Sequence, residues 1–594
     1  MRLFVDSMRN VLWLYRAYWK YGKLFIVLSL IFWFFLIPLS QFVTVYLPYT
    51  IIEALNGGRS FGEIIIIVIL IQLVLMLQPV YEDIFNMFYK NKMLPKIEAC
   101  LKRDIYEKAV ETDHKYIDDT EYYGDYTWAV DKYANKAQEA QDLVNRTVSS
   151  LITVTSMLAI IAVLSPIAIV ITVVGAVIEN IMHIITNIFY VKNENEVAPH
   201  NRRFDYYHRI FYQNNYAADL KSTRIKEILF REYDKTLERK LSIIRHYAFK
   251  MIGWALGGTF AFYIARILII LNITHGIYTG NIPSVGMYMT MMLAVEKLKD
   301  TMNGLFYQIK EGNQIGLQAA RIRTFFDTKS VIETSNNHKE LAFCSAPFSV
   351  SFNNVCFNYN NSDFNISDFS LCITPGEKIA IVGKNGAGKS TLMKLLLRLY
   401  DVSSGNIEIN GSDIRSINIH ELRKNIGIAF QNPNIYALSF LENLELYTEI
   451  DEAERSKIFE MFSFDNVLNK NAADHSHELT KEFNANGIML SGGEAQKIGI
   501  ARLMAGNFGL LLFDEPSSAL DPIAEHEMAK LILDSSNKST TIIIAHRLST
   551  IRNCDKIVVV NSGRIVEHGS HDALMTLKGE YHEMFTKQAE NYIA

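Results

Sequence analysis

The sequence has few cysteines and none in a ligating pattern. Cys100, Cys344, Cys356, Cys372 and Cys554 are scattered, with no CxxC pair. That argues against a disulfide framework and a zinc site, and fits a reducing compartment. A surplus of one charge is lacking too. The 594 residues carry a formal net charge of −4, which predicts neither nucleic-acid binding nor an acidic tail. Signal-peptide features are scarce too: the first apolar run is expected not to be a cleavable leader, because it is too long and has no small-residue cleavage site.

What is present is unevenly placed. Hydrophobic residues make up 49%, an ordinary share, but nearly all long apolar runs lie before about residue 305. Six runs reach the roughly 20 residues a bilayer-crossing helix needs. They are 24–47, 62–86, 144–165, 167–190, 248–272 and 282–304. Arg2, Arg9, Arg16, Lys20 and Lys23 precede the first run, and 88–143 and 191–247 are rich in Lys and Arg. The three other connections are short and carry a single Arg. Positive charge therefore places the N-terminus, both long stretches and the C-terminal half in the cytosol of a cell (inner or plasma) membrane. The long stretches read as helices continuing below the membrane. Each has a break, Tyr116 to Tyr126 and Asn214 to Arg224, that is either a contact element for the cytosolic domain or a surface turn.

The expected organisation is an all-α six-helix membrane domain (1–325), a polar linker (326–345) and a cytosolic α/β P-loop domain (346–594). In the last, EKIAIVG is a β-rich run, KNGAGKS a Gly-rich loop and TLMKLLLRLY a helix, the context a P-loop requires. Gly383, Lys384, Asn385, Gly386, Ala387, Gly388, Lys389, Ser390 and Thr391 would cradle the phosphates of ATP. Lys389 adds positive charge and Ser390 ligates Mg²⁺. LLLFDE is a buried strand whose carboxyl end carries Asp514, for Mg²⁺, and Glu515, placed to polarise the attacking water. IGIAFQNP ends likewise at Gln431, expected to reach Mg²⁺ and the water. TTIIIAHRLS ends at His546, expected to contact the γ-phosphate. Tyr359 is either an adenine-stacking ring or a core aromatic.

The order of these motifs, with LSGGEAQK at 490–497 and SALD at 518–521 between them, resembles the ATP-binding cassette family. Six spans followed by one cassette look like an exporter half-transporter of the multidrug, lipid or peptide type. The resemblance implies that Ser491, Gly492 and Gly493 face ATP held by a second cassette, with Asp521 crossing the same interface. It thus implies a second half-transporter as partner, and full occupancy of the expected positions favours a homodimer in lipid. The long coiled coil of soluble cassette motors, which act on nucleic acid, is missing. So is a leader-cleaving protease domain before the first span. There are departures. NANG (484–487) puts Ala485 where an acid is usual, with Glu482 nearby as a substitute, and Glu494 stands where Gln is commoner.

For the exported substrate, charged groups at membrane depth are the guide. Glu179, His183 and Asn187 are four apart and share a helical face. Arg266 and Glu296 lie in the next two runs. Either Glu179 and Arg266 form a structural salt bridge, or these groups line a cavity. Polar groups beside Met287, Met289, Met291 and Met292 suit a peptide cargo. A lipid or hydrophobic drug is the alternative, and an ATP-gated channel or sensor is the alternative of another class.

Overall fold

The computed structural model describes residues 2–164, 166–213, 216–279, 285–332, 347–359, 365–516, 522–535 and 538–593. Ser165, Cys344, most of the expected linker, the start of the second break and SALD with Asp521 lie outside the described residues. Two compact units emerge, 1–109 with 124–327, and 110–123 with 328–594.

The first unit is helical: α1 (Arg2–Ile31), α2 (Ile37–Asn56), α3 (Phe61–Ile84), α4 (Asn91–Val110), α5 (His114–Ile117), α6 (Thr120–Leu164), α7 (Pro166–Tyr212), α8 (Ala217–Ser222), α9 (Ile225–Tyr278) and α10 (Val285–Asp327), of which α5 sits in the second unit. A π turn, Phe32–Leu36, joins α1 to α2, and another, Phe85–Lys90, joins α3 to α4. Among the described residues, five helical stretches are long and apolar enough to cross a membrane: Val5–Asn56, Phe61–Val110, Tyr122–Ala162, Pro166–Tyr212 and Ile225–Tyr278. The run 282–304 falls in α10, which is not among them. Glu296, Lys297, Lys299 and Asp300 leave α10 no long uncharged window.

Apolar chains gain little by leaving lipid for protein, so close packing must hold such helices together. Small residues permit it. A Cβ on Gly175 would sit 2.6 Å from the Ala265 Cβ, and one on Gly258 3.2 Å from the Glu179 carbonyl. These contacts seat α7 against α9. Met291 is 1% exposed in a core with Met157, Ile161 and Leu298. Core packing therefore accounts for Met291, whereas Met289 is exposed.

Among the described residues the second unit has ten strands: β1 (Val350–Asn358), β2 (Asn365–Ile373), β3 (Lys378–Val382), β4 (Ser404–Ile409), β5 (Ser412–Asp413), β6 (Ile426–Ala429), β7 (Leu510–Asp514), β8 (Thr540–Ile544), β9 (Lys556–Asn561) and β10 (Arg564–Gly569). A small antiparallel sheet runs β2-β1-β4-β5 and a larger one β10-β9-β3-β8-β7-β6. In the larger sheet β9, β3, β8, β7 and β6 are mutually parallel. Ile379 and Ile381 face one apolar core, Ala380 and Val382 the other. Burial on both faces explains why these strands read as unbroken apolar runs. Their shared carboxyl edge collects the loops that carry Gly383 to Ser390, Gln431, Glu515 and His546.

Residues 110–123 cluster with the cassette although they connect two predicted spans. Asp113, fully buried, accepts hydrogen bonds from the Ser330 hydroxyl and from the N–H groups of Val331 and Ile332 at 3.0 Å. Tyr400 donates its hydroxyl to Asp118, and the His114 ring meets the Tyr400 ring edge-on at 5.6 Å. The break Tyr116 to Tyr126 is thus largely a contact element of the cassette.

Candidate functional site

The Gly-rich loop follows β3 directly. Gly383 has φ +154°, and a Cβ there would lie 2.1 Å from the Val560 carbonyl oxygen. Gly388, at φ +102°, turns the chain into the helix Lys389–Leu396. Only glycine holds both positions without strain. Lys389 is buried, and its ammonium donates to the carbonyls of Gly383 at 2.9 Å and Lys384 at 3.1 Å. Burial pushes its pKa down while Glu515 and Asp514 act to raise it. A buried ammonium resting on loop carbonyls is poised to exchange them for an anion. The loop therefore fits a polyphosphate, with backbone N–H groups and the Lys389 ammonium as donors.

Asp514 ends β7, and its carboxylate accepts a hydrogen bond from Ser390 Oγ at 3.3 Å. This hydroxyl–carboxylate pair has the oxygen donors Mg²⁺ takes, and the ion would neutralise phosphate charge there. Burial pushes the Asp514 carboxyl up, with Ser390 opposing. A carboxyl raised on folding binds more protons folded than unfolded between its two pKa values, so stability falls as pH rises through that window. Asp514→Asn should therefore raise the melting temperature of the nucleotide-free protein at pH 7, with the gain shrinking as pH falls through the acid range. Equal melting temperatures at pH 7 would contradict this.

Glu515 sits one residue on, with φ +49°. Left-handed backbone costs a non-glycine residue roughly 1 kcal/mol, and here it turns the side chain out of the strand's alternation. Its carboxylate accepts from Gln431 Nε2 at 2.6 Å and lies 2.6 Å from His546 Nε2. Three separate loops therefore converge on one carboxylate. With Tyr359 and residues 385–391 they line a single cavity of about 690 Å³. Tyr359 packs edge-on against Phe357 and Tyr400 and bonds Thr391. It is both a cavity wall and a member of an aromatic cluster.

Ser491, Gly492 and Gly493 do not line this cavity. Ser491 caps the helix Gly492–Met504 in a reciprocal capping box. Its N–H and hydroxyl donate to the Glu494 carboxylate at 2.7 and 2.8 Å, and its oxygen accepts from Glu494 N–H. Glu494, the departure from the commoner Gln, completes that box. Burial acts to raise the Glu494 carboxyl, but the Ser491 donors hold it below its usual range. Ser491 and Gly492 are solvent-exposed. So are Glu482 and Ala485.

Several supporting residues lie outside the predicted site set. Gln496 Nε2 donates to the Gln431 carbonyl at 3.3 Å. Arg502, 7% exposed, donates to the carbonyls of Asn434 and Asn443. Both fix the loop after β6. Gln588, on the helix Glu580–Ile593, donates to the His546 carbonyl at 2.6 Å and accepts from Leu548 N–H at 2.9 Å. Both ends of its amide clamp the turn that aims His546. Gln588→Leu should cut turnover about tenfold with little change in nucleotide affinity, and phosphate-release kinetics would check it. Unchanged turnover would show that the turn holds itself.

In the helical unit the predicted cargo residues form two groups. Glu179, 3% exposed, accepts from Asn303 Nδ2 at 3.4 Å and lies 4.0 Å from His183 Nε2. Its Oε2, and Oδ1 of Asn187 and Asn303, lack hydrogen-bond partners among the described residues. Arg266 pairs with Glu296 at 3.9 Å, not with Glu179. The α9–α10 pairing replaces the α7–α9 bridge that depth alone suggested.

A family model described as ABC transporter matches residues 366–518. The chain is similar to an ATP-dependent lipid A-core flippase of Methylobacillus flagellatus, 35% identical over 286 residues, 47% of this chain and 47% of that protein. It is similar to the putative multidrug export ATP-binding/permease protein YgaD of Bacillus subtilis, 37% identical over 251 residues, 41% of each chain. It is also similar to the mitochondrial iron-sulfur clusters transporter ATM1 of Debaryomyces hansenii, 36% identical over 306 residues, 51% of this chain and 43% of that one. The chain thus spans less than half the length of these curated relatives. A solved bacterial Atm1-family ABC exporter with ATP bound superposes with a TM-score of 0.69 over 97% of this chain and 99% of its own, at 22% identity. Residues 366–518 thus match the ABC transporter model, and the chain shares the fold of that solved exporter, a long-helix unit followed by one α/β unit.

Proposed function

We propose that two copies of this chain pair head to tail as an ATP-driven exporter in a cell membrane, with the cassettes cytosolic. The observation that carries this is the convergence of Gln431 and His546 on Glu515 across the P-loop cavity, while the exposed start of the LSGG helix lies outside that lining. ATP held by residues 383–391 would present its γ-phosphate to Glu515, which takes a proton from the attacking water. His546 and Gln431 hold that carboxylate in place. The N–H groups at Gly492 and Gly493 of the partner copy would complete the phosphate shell. Closure of the cassettes is passed on through residues 110–123, seated at Tyr400.

The cargo reading is a peptide, supported by the polar face of Glu179, His183 and Asn187 within an apolar helix. A lipid or hydrophobic drug is the second reading, favoured by the flippase and multidrug names among the relatives. The test is ATPase activity in lipid nanodiscs with fractionated host extract, before and after protease treatment. Stimulation that protease abolishes supports the peptide. Stimulation that survives and follows the organic phase supports the second reading. Glu179→Gln should change stimulated turnover and leave basal turnover alone; unchanged stimulation would remove Glu179 from the cargo path.

A further inference from the structure

A second cavity, of about 350 Å³, lies within the helical unit, between α1, α3 and α6. It is distinct from the Glu179 and Arg266 groups. Both π turns among the described residues border it, through Phe32 and Trp33 on one side and Phe85, Asn86 and Lys90 on the other. A π turn gives poorer hydrogen-bond geometry than α-helix and is kept mostly where it shapes a site. Here two of them widen the helices around one space.

The walls have a definite chemistry. The rings of Phe25, Phe32, Trp33 and Phe85 supply apolar surface and π faces. Phe25 and Phe85 lock together at 5.2 Å, and Phe32 stacks on Tyr81 at 6.1 Å, so the rings are held in place. Among them stand Glu82 and Asp142, neither with a side-chain hydrogen bond or ion pair among the described residues. Gln141, 1% exposed, donates its amide to Ser29 Oγ at 3.0 Å and leaves Oε1 without a partner. Of the two cations on the wall, Arg146 is already engaged by Glu311 at 2.8 Å. Lys90 remains. Two free carboxylates and a free amide oxygen against one free ammonium leave the cavity short of positive charge and of donors.

We propose that this cavity binds an amphipathic organic cation, its ammonium or equivalent charge against Glu82, Asp142 and Gln141 Oε1 and its apolar body against the four rings. Aromatic faces attract such cations directly; Asp142 is half-buried, so a cation placed against it is screened less than at the exposed Glu82. The cavity lies at the cytosolic ends of the first three predicted spans, where amphipathic cations collect at an anionic leaflet. The inference rests on the export reading only in making the bound cation cargo; binding itself needs no ATP.

The experiment is equilibrium binding of tetraphenylphosphonium to the full chain in nanodiscs without nucleotide, with tetraphenylborate as the anion of matched shape. The expected result is saturable binding of the cation, weakened about tenfold or more by Glu82→Gln and by Asp142→Asn, and no saturable binding of tetraphenylborate titrated alone on a separate sample. Lys90→Met should tighten it about threefold, a gain that misfolding cannot imitate. Glu238→Gln, on the exposed part of α9, should leave it unchanged. Affinity unmoved by all three cavity substitutions, equal binding of the anion, or weakening by Lys90→Met would overturn the proposal. Basal ATP turnover, measured separately on the same samples, distinguishes failure of this site from failure of the export reading.

Discussion

Glu515→Gln is expected to bind ATP as the parent does and to hydrolyse it roughly 10²- to 10⁴-fold more slowly, the usual contribution of a positioned general base. The carboxylate is the one group on which Gln431 and His546 both converge, each at 2.6 Å. Gln keeps the size and one acceptor oxygen but cannot take a proton, so the loss should appear in turnover and not in nucleotide affinity. The left-handed backbone at 515 is equally tolerable for Gln, so the fold should persist. Phosphate release and nucleotide binding on the same preparation decide it. Turnover within a few-fold of the parent would move the base elsewhere.

Gly492→Asp should be nearly as damaging for a different reason. Gly492 starts the signature helix with ordinary negative φ, which an L-residue accepts. A carboxylate in the first helical turn favours the helix by about 0.3–1 kcal/mol, so stability should hold or rise. The same charge repels a phosphate brought to that helix start. Loss of one preorganised donor group typically costs roughly 10²–10³ in turnover, and a repelling charge should cost at least that. ATP affinity of the variant's own P-loop should stay near the parent value, because residues 491–493 are not part of that lining. A matching fall in affinity would mean the two motifs act on one nucleotide within one chain.

Much of the catalytic edge is legible in the sequence because parallel, doubly buried strands announce themselves as unbroken apolar runs. The residue at the end of such a run must sit at the sheet's carboxyl edge. That logic places Lys389, Asp514, Glu515, Gln431 and His546 beside one another before any coordinates. It does not find Gln588 or Arg502, whose contacts span 42 and 59 residues and depend on how helices pack over the sheet. It offers the break Tyr116 to Tyr126 as a contact element but not Asp113, whose N–H partners lie 218 and 219 residues away and leave no local pattern. Arg266 shows the limit of depth arguments in a helical unit, since rotation about the helix axis decides its partner and hydropathy does not report rotation. The π turns are similarly silent, because their residues read as ordinary apolar helix. Glu494 reads as a mild departure in sequence and becomes a reciprocal cap in structure.

The measurement that tests the account most directly is disulfide trapping across the proposed composite site. Asn385→Cys and Ser491→Cys would be placed together in a chain carrying Glu515→Gln, with the five native cysteines replaced by serine. The account predicts that oxidation with Mg-ATP yields a covalent dimer, and that oxidation without nucleotide yields little. A chain that binds ATP but stays monomeric on oxidation would contradict head-to-tail pairing of the cassettes.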